Sequence, residues 1–262
     1  MVNQNIYFEL KAIYSNWVMW FSLASQDIKL RYRRSMLGPL WITISMGVTI
    51  FSMGFLYGNL FHINLSKYLP YLASGIIGWS FISTLILESS QVFIESEGFI
   101  RNQESFVSIF LMRLIYRNVL VFGHNLLTFI PIILICKLGI GLKTLLLIPG
   151  LLIIGFNIFC FGTVLAIIST RYRDFAPIIA SLIQVSFFLT PVMWMPDALS
   201  RNHQWIVHYN PFNHFLSLIR CPLLQTNMSM IGFQMVIVIT FIGFALYSFM
   251  VNKYKSKIVF WL

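Results

Sequence analysis

Charged residues are scarce in this sequence. Asp, Glu, Lys and Arg make up 10% of the 262 residues and hydrophobic residues 58%, whereas about 25% of an ordinary soluble domain is charged. No polar block is large enough to form a separate water-soluble domain. The composition therefore excludes an ordinary soluble protein and predicts one membrane domain over residues 1–262.

Groups that bind metals or perform chemistry are also few. The three cysteines are an odd number and widely spaced, so they suggest neither a disulfide framework nor a zinc site. The eight acidic residues are dispersed without an Asp-x-Asp pair, which argues against a membrane glycosyltransferase with clustered carboxylates. Repeated halves and interrupted helices, which are typical of secondary transporters, are not evident. We therefore expect no metal site and no catalytic residue.

A phosphate-binding loop is missing as well. Such a loop needs Gly-x-x-x-x-Gly-Lys-Ser/Thr, because its backbone amides and its lysine hold the phosphates. The nearest segment, Gly139–Thr144, has Leu142 between Gly141 and Lys143. We therefore expect the chain to hydrolyse no ATP and to need no cofactor of its own.

Long stretches without a full charge dominate the chain. A helix that crosses about 30 Å of hydrocarbon needs about 20 apolar residues, and its backbone groups must be paired internally, which favours helices. Six stretches meet or approach that length. We expect an all-α integral membrane protein with six transmembrane helices near 37–60, 70–94, 115–136, 145–169, 175–195 and 230–251.

The distribution of Lys and Arg predicts how these spans are oriented. With both termini in the cytoplasm, 13 of the 18 basic residues lie inside and 5 lie outside, which agrees with the positive-inside rule. The sequence thus predicts a cytoplasmic N-terminus over 1–36, six spans over 37–251 and a cytoplasmic tail over 252–262.

Three other segments are amphipathic or too polar to cross. Residues 12–28 carry apolar side chains at helical spacing, including Trp17 and Trp20, which predicts an amphipathic interface helix. Residues 95–114 mix charges with apolar residues and indicate a short cytoplasmic helix. Residues 196–229 are too long for an ordinary loop, so we expect short outer interfacial or re-entrant helices before the last span.

The segment Arg31–Trp41 runs from a basic cluster through Gly-Pro to a Trp at the predicted membrane entrance. At this point the sequence resembles the permease subunits of ABC-2 type transporters that export O-antigen, capsule or teichoic acid chains. The resemblance covers nearly the whole chain. The further matching segments are Tyr68–Gly75, Arg117-Asn118, His124-Asn125, Arg171–Asp174, Asn210-Pro211 and Arg220.

This resemblance implies a function and partners. Such permeases form homodimers in the bacterial inner membrane, with one cytoplasmic ATPase subunit, which binds ATP and Mg, beneath each half. We therefore expect the transmembrane subunit of an exporter that moves a lipid-linked polysaccharide such as O-antigen. An ABC-2 exporter of capsule, teichoic acid, a drug or a lipid remains the alternative.

Residues 97–106 are the candidate coupling helix between the chain and its ATPase. We expect apolar side chains to fill a groove on the ATPase and charged ones to lie at its rim; an ordinary charged loop is the alternative. The residues concerned are Glu97, Phe99, Ile100, Arg101, Glu104 and Phe106.

Basic residues at the cytoplasmic entrance are candidates for binding the pyrophosphate of a polyprenyl carrier. Arginine suits this role because its planar donors bind phosphate oxygens in pairs; the same residues also serve as orientation signals. The candidates are Arg31, Arg33, Arg34, Arg171 and Arg173.

A channel for sugar chains needs aromatic rings and hydrogen-bonding groups, and the resemblance implies that spans 1 and 5 line it. Any single aromatic residue is equally able to face lipid. Glu88, the only carboxylate within a predicted span, faces the pore, a partner helix or cytoplasmic water. The channel-lining candidates are Trp41, Ser45, Ser52, Tyr57, Gln184, Phe187 and Trp194.

Overall fold

The computed structural model describes residues 6–60, 62–102 and 107–262, and within these ranges it contains thirteen α-helices and no β-strand. The helices are α1 (Ile6–Ser15), α2 (Trp17–Arg31), α3 (Leu40–Leu60), α4 (Leu65–Glu95), α5 (Glu97–Asn102), α6 (Val107–Leu126), α7 (Phe129–Cys136), α8 (Leu147–Arg171), α9 (Phe175–Leu189), α10 (Trp205–His208), α11 (Pro211–Leu223), α12 (Met230–Tyr254) and α13 (Ile258–Trp261).

Five helical segments of the described chain are long and apolar enough to cross a membrane. They confirm the all-helical fold and the apolar helices predicted for spans 1, 2, 3, 4 and 6. Three of them join neighbouring elements: α6 with α7, α12 with α13, and the 3₁₀ helix Leu142–Leu146 with α8. The segments are Leu40–Leu60, Leu65–Glu95, Val107–Cys136, Leu142–Arg171 and Met230–Trp261.

The fifth predicted span, 175–195, is shorter in the structure. Its helix α9 has 15 residues and ends at Leu189, which leaves it below the length of about 20 residues that crosses a bilayer. The helix stops because Pro191 disfavours helical geometry at the residue before it. Thr190 accordingly has extended backbone angles, φ −92° and ψ 137°.

The third span begins earlier than predicted and contains a break. Residues 107–114, assigned from the sequence to a separate cytoplasmic helix, are the first turns of α6. The break at Leu127 and Thr128 precedes Pro131, which has no backbone N–H to donate to the carbonyl of Leu127. The carbonyl of Leu127 accepts instead from the backbone N–H of Ile130 at 3.2 Å, and Thr128 Oγ1 donates to the carbonyl of Asn125 at 2.7 Å.

The N-terminal segment forms two helices rather than the single one predicted over 12–28. They meet at Asn16, whose side-chain amide donates to the carbonyl of Ala12 at 3.0 Å. Trp20 lies on the face of α2 that packs against α6, with its ring 5.8 Å from that of Tyr116.

Helix α4 is the centre of the bundle and packs against α3, α6, α7, α8, α9 and α11. A glycine allows α11 to pack closely against it: a Cβ at Gly78 would lie 2.5 Å from the side chain of Leu216 on α11. Helix α3 is much less covered, because 17% of its apolar stretch is buried against 67% of that of α4.

The first and last described helices, α1 and α13, lie at the same end of the bundle, which we call the terminal end. Glu9 of α1 accepts hydrogen bonds from the backbone N–H and the hydroxyl of Ser108 at the start of α6, and it pairs with Lys255 after α12. The opposite end, which we call the distal end, carries the start of α4, the end of α9 and the helices α10 and α11.

Candidate functional site

Five polar side chains form an ion-pair network between α2, α4 and α6 at the terminal end. Asp27 of α2 accepts hydrogen bonds from Nε and Nη2 of Arg113 at 2.8 and 2.6 Å, and Arg117 Nη1 lies 3.4 Å from the same carboxylate. Arg117 Nη2 donates to Glu88 at 2.7 Å, and the amide of Asn118 donates to the same oxygen. The two arginines of α6 thus lie between a carboxylate of α2 and one of α4.

This network explains how Glu88 is accommodated within an apolar helix. The Glu88 side chain is 24% exposed, and withdrawing a carboxylate from water is costly unless it is both paired and hydrogen-bonded. Arg117 and Asn118 supply both interactions. Of the three surroundings that the sequence left open for Glu88, the structure shows a partner helix. Sequence reasoning missed Asp27; the available signal was that it is the only acidic residue in α2.

A polar cavity of about 160 Å³ lies beside the network. Its lining includes Arg113, Arg117 and Glu95, together with Ser96, which caps the end of α4. Helix α5 begins at the next residue. The network, the cavity and the candidate coupling helix are therefore continuous.

Helix α5 presents only part of the predicted coupling surface. Phe99 is 46% exposed, whereas Ile100 is 4% exposed and belongs to the chain's own core. Because Ile100 is buried, its side chain is not available to contact a partner protein. Glu97 and Arg101 form an exposed ion pair at 2.8 Å, while Glu104 and Phe106 lie outside the described residues.

The basic candidates occupy two places. Arg31, Arg33 and Arg34 are exposed at and after the end of α2. Arg171 ends α8, and its guanidinium lies 5.2 Å from the ring centres of both Tyr172 and Trp261. Arg173 follows on the exposed turn before α9.

The candidates on α3 lie on a largely exposed surface of the described chain. Trp41, Ser45 and Ser52 are exposed and Tyr57 is half-buried. The hydroxyl of Ser45 donates to the carbonyl of Ile42 at 3.1 Å, so its donor is engaged within its own helix. Each of these residues lies on the least covered of the long helices.

The candidates on α9 differ in exposure. Gln184 is exposed, whereas Phe187 is half-buried with its ring 5.7 Å from that of Trp79 on α4. The half-buried Trp194 donates from its indole N–H to the carbonyl of Phe188 at 3.2 Å. Phe188 is more exposed than either aromatic candidate, and sequence reasoning missed it because hydropathy does not show which side of a uniformly apolar helix is covered.

Segments that stand far apart in the sequence meet at the distal end. The hydroxyl of Tyr68 donates to the carbonyl of Met193 at 2.8 Å. The hydroxyl of Tyr71 lies 3.0 Å from the carbonyl of Pro191 and 3.1 Å from that of Trp194. The start of α4 therefore binds the carbonyls of the irregular turn that follows α9.

Arg220 of α11 lies at the centre of this distal cluster. It is 7% exposed, and no carboxylate of the described chain pairs with it. Its Nη1 donates to the hydroxyl of Tyr71 at 3.0 Å and its Nη2 to the carbonyl of Pro191 at 2.8 Å. Gly75 leaves room for this contact, because a Cβ there would lie 2.5 Å from Arg220 Nη2 and 2.3 Å from the carbonyl oxygen of Val192.

Asn210 connects the end of α9 to the start of α11. Its amide donates to Thr190 Oγ1 at 3.0 Å, while its carbonyl oxygen accepts from the backbone N–H groups of Phe212 and Asn213. This is an N-cap, with Pro211 at the first helical position, where a missing N–H costs nothing. The segments singled out in the sequence at 68–75 and 210–220 thus belong to one structural unit.

Comparison with known proteins gives consistent matches. Residues 19–224 match the family model described as ABC-2 type transporter. Two proteins of Klebsiella pneumoniae, both called O-antigen export system permease protein RfbA, are similar to the chain at 26% and 24% identity over 196 residues. Each match covers 72% of this chain and 73% of the relative. The family match extends from α2 through α11.

Proposed function

Because the chain belongs to the ABC-2 type transporter family, we propose that it is the transmembrane subunit of an ATP-driven exporter that moves a lipid-linked polysaccharide, such as O-antigen, across the bacterial inner membrane. The observation that carries the cargo class is the similarity to two O-antigen export permeases over nearly three quarters of both chains. The exposed rings and hydrogen-bonding side chains of α3 and α9 suit a glycan, whose apolar faces stack on aromatic rings.

In this proposal α9 is the sixth span of a single transmembrane domain. A 15-residue helix is about 22 Å long at about 1.5 Å per residue, so the turn after Leu189 completes the crossing. Irregular backbone at membrane depth is tolerated where it is buried in protein. The turn after Leu189 meets this condition, because its carbonyls bind the side chains of Tyr68, Tyr71 and Arg220.

Six spans put both termini on one side, and the excess of basic residues at the terminal end favours the cytoplasm. The segments 1–36 and 252–262 are then cytoplasmic, and α10 and α11 lie on the outer side. With its exposed Trp17 and its basic end, α2 suits a position at the level of the lipid headgroups.

We propose that two copies of the chain enclose the channel with their α3 and α9 surfaces. Besides α4, helix α3 packs against α6 and helix α9 against α8, and each of the two helices leaves a broad apolar side exposed. A bundle that buries only 17% of the apolar stretch of α3 has a large face available for a second copy. Trp41, Ser45, Ser52, Tyr57 and Gln184 belong to this surface, with Phe187 and Trp194 at its edge.

Two ATPase subunits supply the energy for transport, one beneath the α5 helix of each copy of the chain. These partners bind ATP and Mg. Phe99 offers the apolar contact, and the pair Glu97–Arg101 forms its charged rim. The ion-pair network next to α5 connects its movement to α2, α4 and α6. The exposed Arg31, Arg33 and Arg34 suit the carrier pyrophosphate, whereas the stacking of Arg171 on two rings favours a structural role.

Deletion of the gene in the bacterium that encodes it tests the proposal. We expect polyprenyl-linked polymer to accumulate in the cytoplasm while polysaccharide disappears from the cell surface. The wild-type gene should restore export, and a Phe99→Asp variant should not. Unchanged surface polysaccharide together with increased drug sensitivity would reject the polysaccharide as cargo in favour of a drug.

A further inference from the structure

An apolar cavity of about 390 Å³ lies between α4, α8, α11 and α12. Ile82 of α4, Ile158 of α8 and Ile239 of α12 stand near the middle of their helices and line it. Phe212 and Phe215, in the first turns of α11, form its distal wall. The cavity is therefore at the depth of the hydrocarbon core in any membrane that these helices cross.

The chemistry of the lining favours an apolar occupant. Asn157 is the one polar residue among the described lining residues, and its Nδ2 already donates to the carbonyl of Ile153 at 2.9 Å and to Thr240 Oγ1 at 2.8 Å. Its buried Oδ1 is then the one side-chain acceptor of the lining without a partner in the described chain. A buried water needs two to four polar partners, and apolar cavities less than half this size, of about 150 Å³, stay dry and bind apolar ligands. An empty apolar void of this size is destabilising. A hydrocarbon therefore suits the cavity best.

The position of the cavity identifies the source of that hydrocarbon. Ile242, at its margin on α12, is 51% exposed, so the cavity opens on a surface that faces lipid. The rings of Phe187, Trp79 and Phe212, which meet at tilted and edge-on angles, stand between the cavity and the exposed side of α9. Entry is therefore from the surrounding bilayer rather than from the α3 and α9 surface.

We propose that this cavity binds one acyl chain of a membrane phospholipid. The acyl chain contacts α8 and α12 along its sides and the first turns of α11 at its end. Asn210 joins the start of α11 to Thr190. An acyl chain that packs against the start of α11 therefore also stabilises the distal cluster. This site is independent of the transported cargo and of the ATPase partner.

Photolabelling of the full chain tests the proposal. The protein is reconstituted in phosphatidylethanolamine and phosphatidylglycerol vesicles with a trace of phosphatidylcholine that carries a diazirine on its acyl chain. After irradiation we expect label on Ile158 and Phe215, which are largely covered by protein, as well as on the exposed Leu182 of α9. Label on Leu182 with none on Ile158 or Phe215 would overturn the proposal.

Two variants of α12 make the test specific. Ile239→Phe fills the cavity and should lower the labelling of Ile158 severalfold, while the labelling of Leu182 stays constant as a measure of correct insertion. Val238→Phe adds the same ring at the neighbouring exposed position, outside the cavity lining, and should leave Ile158 labelled as in the wild type. Equal labelling of Ile158 in the two variants contradicts the assignment.

A competition experiment distinguishes phospholipid from polyprenyl phosphate, the two membrane lipids that carry long hydrocarbon chains. Unlabelled phospholipid in excess should dilute the label on Ile158 and on Leu182 in the same proportion. If added polyprenyl phosphate removes the label from Ile158 alone, the cavity belongs to the carrier lipid and the phospholipid assignment is wrong.

Discussion

Asp27 of the surface helix α2 binds Arg113 of α6 through both of its carboxylate oxygens, at 2.8 Å to Nε and 2.6 Å to Nη2. Paired donors of this kind fix orientation as well as distance. The contact therefore determines how α2 lies against the third span. It also connects α2, through Arg117, to Glu88 of α4.

We expect Asp27→Asn to destabilise the protein by about 1–3 kcal/mol, because hydrogen bonds to charged groups contribute more than neutral ones and two arginines lose their shared carboxylate. Thermal unfolding in detergent measures this change. Glu97→Gln is the matched control: its pair with Arg101 is exposed, and such pairs contribute about 0.3–0.5 kcal/mol. Equal unfolding midpoints for the two variants would show that Asp27 has no special structural role.

Phe99→Asp should leave insertion and folding intact but abolish co-purification with the ATPase, because it places a charge in an apolar contact. Ile100→Asp is the informative comparison, since Ile100 is 4% exposed and a charge there must be buried in the core. That variant should lose folded protein rather than binding alone. A Phe99→Asp protein that still co-purifies with the ATPase at the wild-type ratio would exclude α5 as the contact.

Gly75→Ala should destabilise the distal cluster by about 1–3 kcal/mol, the usual cost of an overpacked core. The added methyl group would lie 2.3 Å from the carbonyl oxygen of Val192 and 2.5 Å from Arg220 Nη2. Gly123→Ala on α6 provides the control, because its Cβ would meet nothing within 4 Å and alanine favours helices. The prediction fails if both variants unfold at the wild-type midpoint.

Cysteine labelling in intact cells checks the proposed orientation. In a variant whose three native cysteines are replaced by alanine, Asn202→Cys at the distal end should react with a membrane-impermeant maleimide added outside. Gly98→Cys on α5 should react only after the cells are opened. External labelling of Gly98→Cys would place the coupling helix on the wrong side for a cytoplasmic ATPase.

Hydropathy alone was sufficient to predict five of the long apolar helices, because burial in hydrocarbon acts on each segment separately. It was insufficient where a local backbone constraint decides. Pro191 ends α9 several residues before the predicted end of the fifth span, and Pro131 follows the break between α6 and α7. In both cases the proline lies within a run of apolar residues. Hydropathy predicts that the run is apolar but not that the proline interrupts the helix.

The candidate sites depended on contacts between distant segments, which one sequence does not reveal. Arg117-Asn118 and Glu88 were recognised separately, but the fold pairs them with each other and joins Arg117 to Asp27 on another helix. The segment Tyr68–Gly75 and Arg220 were also noted one by one, and only the fold brings them to one turn. The burial of Ile100 likewise follows from three-dimensional packing, since its neighbour Phe99 is equally apolar.

The contact of Glu9 with both Ser108 and Lys255 has a consequence for biogenesis. Glu9 leaves the ribosome long before Lys255, yet the Glu9 carboxylate is completely covered in the finished protein. Its countercharge is not yet synthesised while the earlier spans insert. Helix α1 therefore completes its contacts only after Lys255 has been synthesised, and truncation before Lys255 would leave the Glu9 carboxylate bonded to Ser108 but without its countercharge.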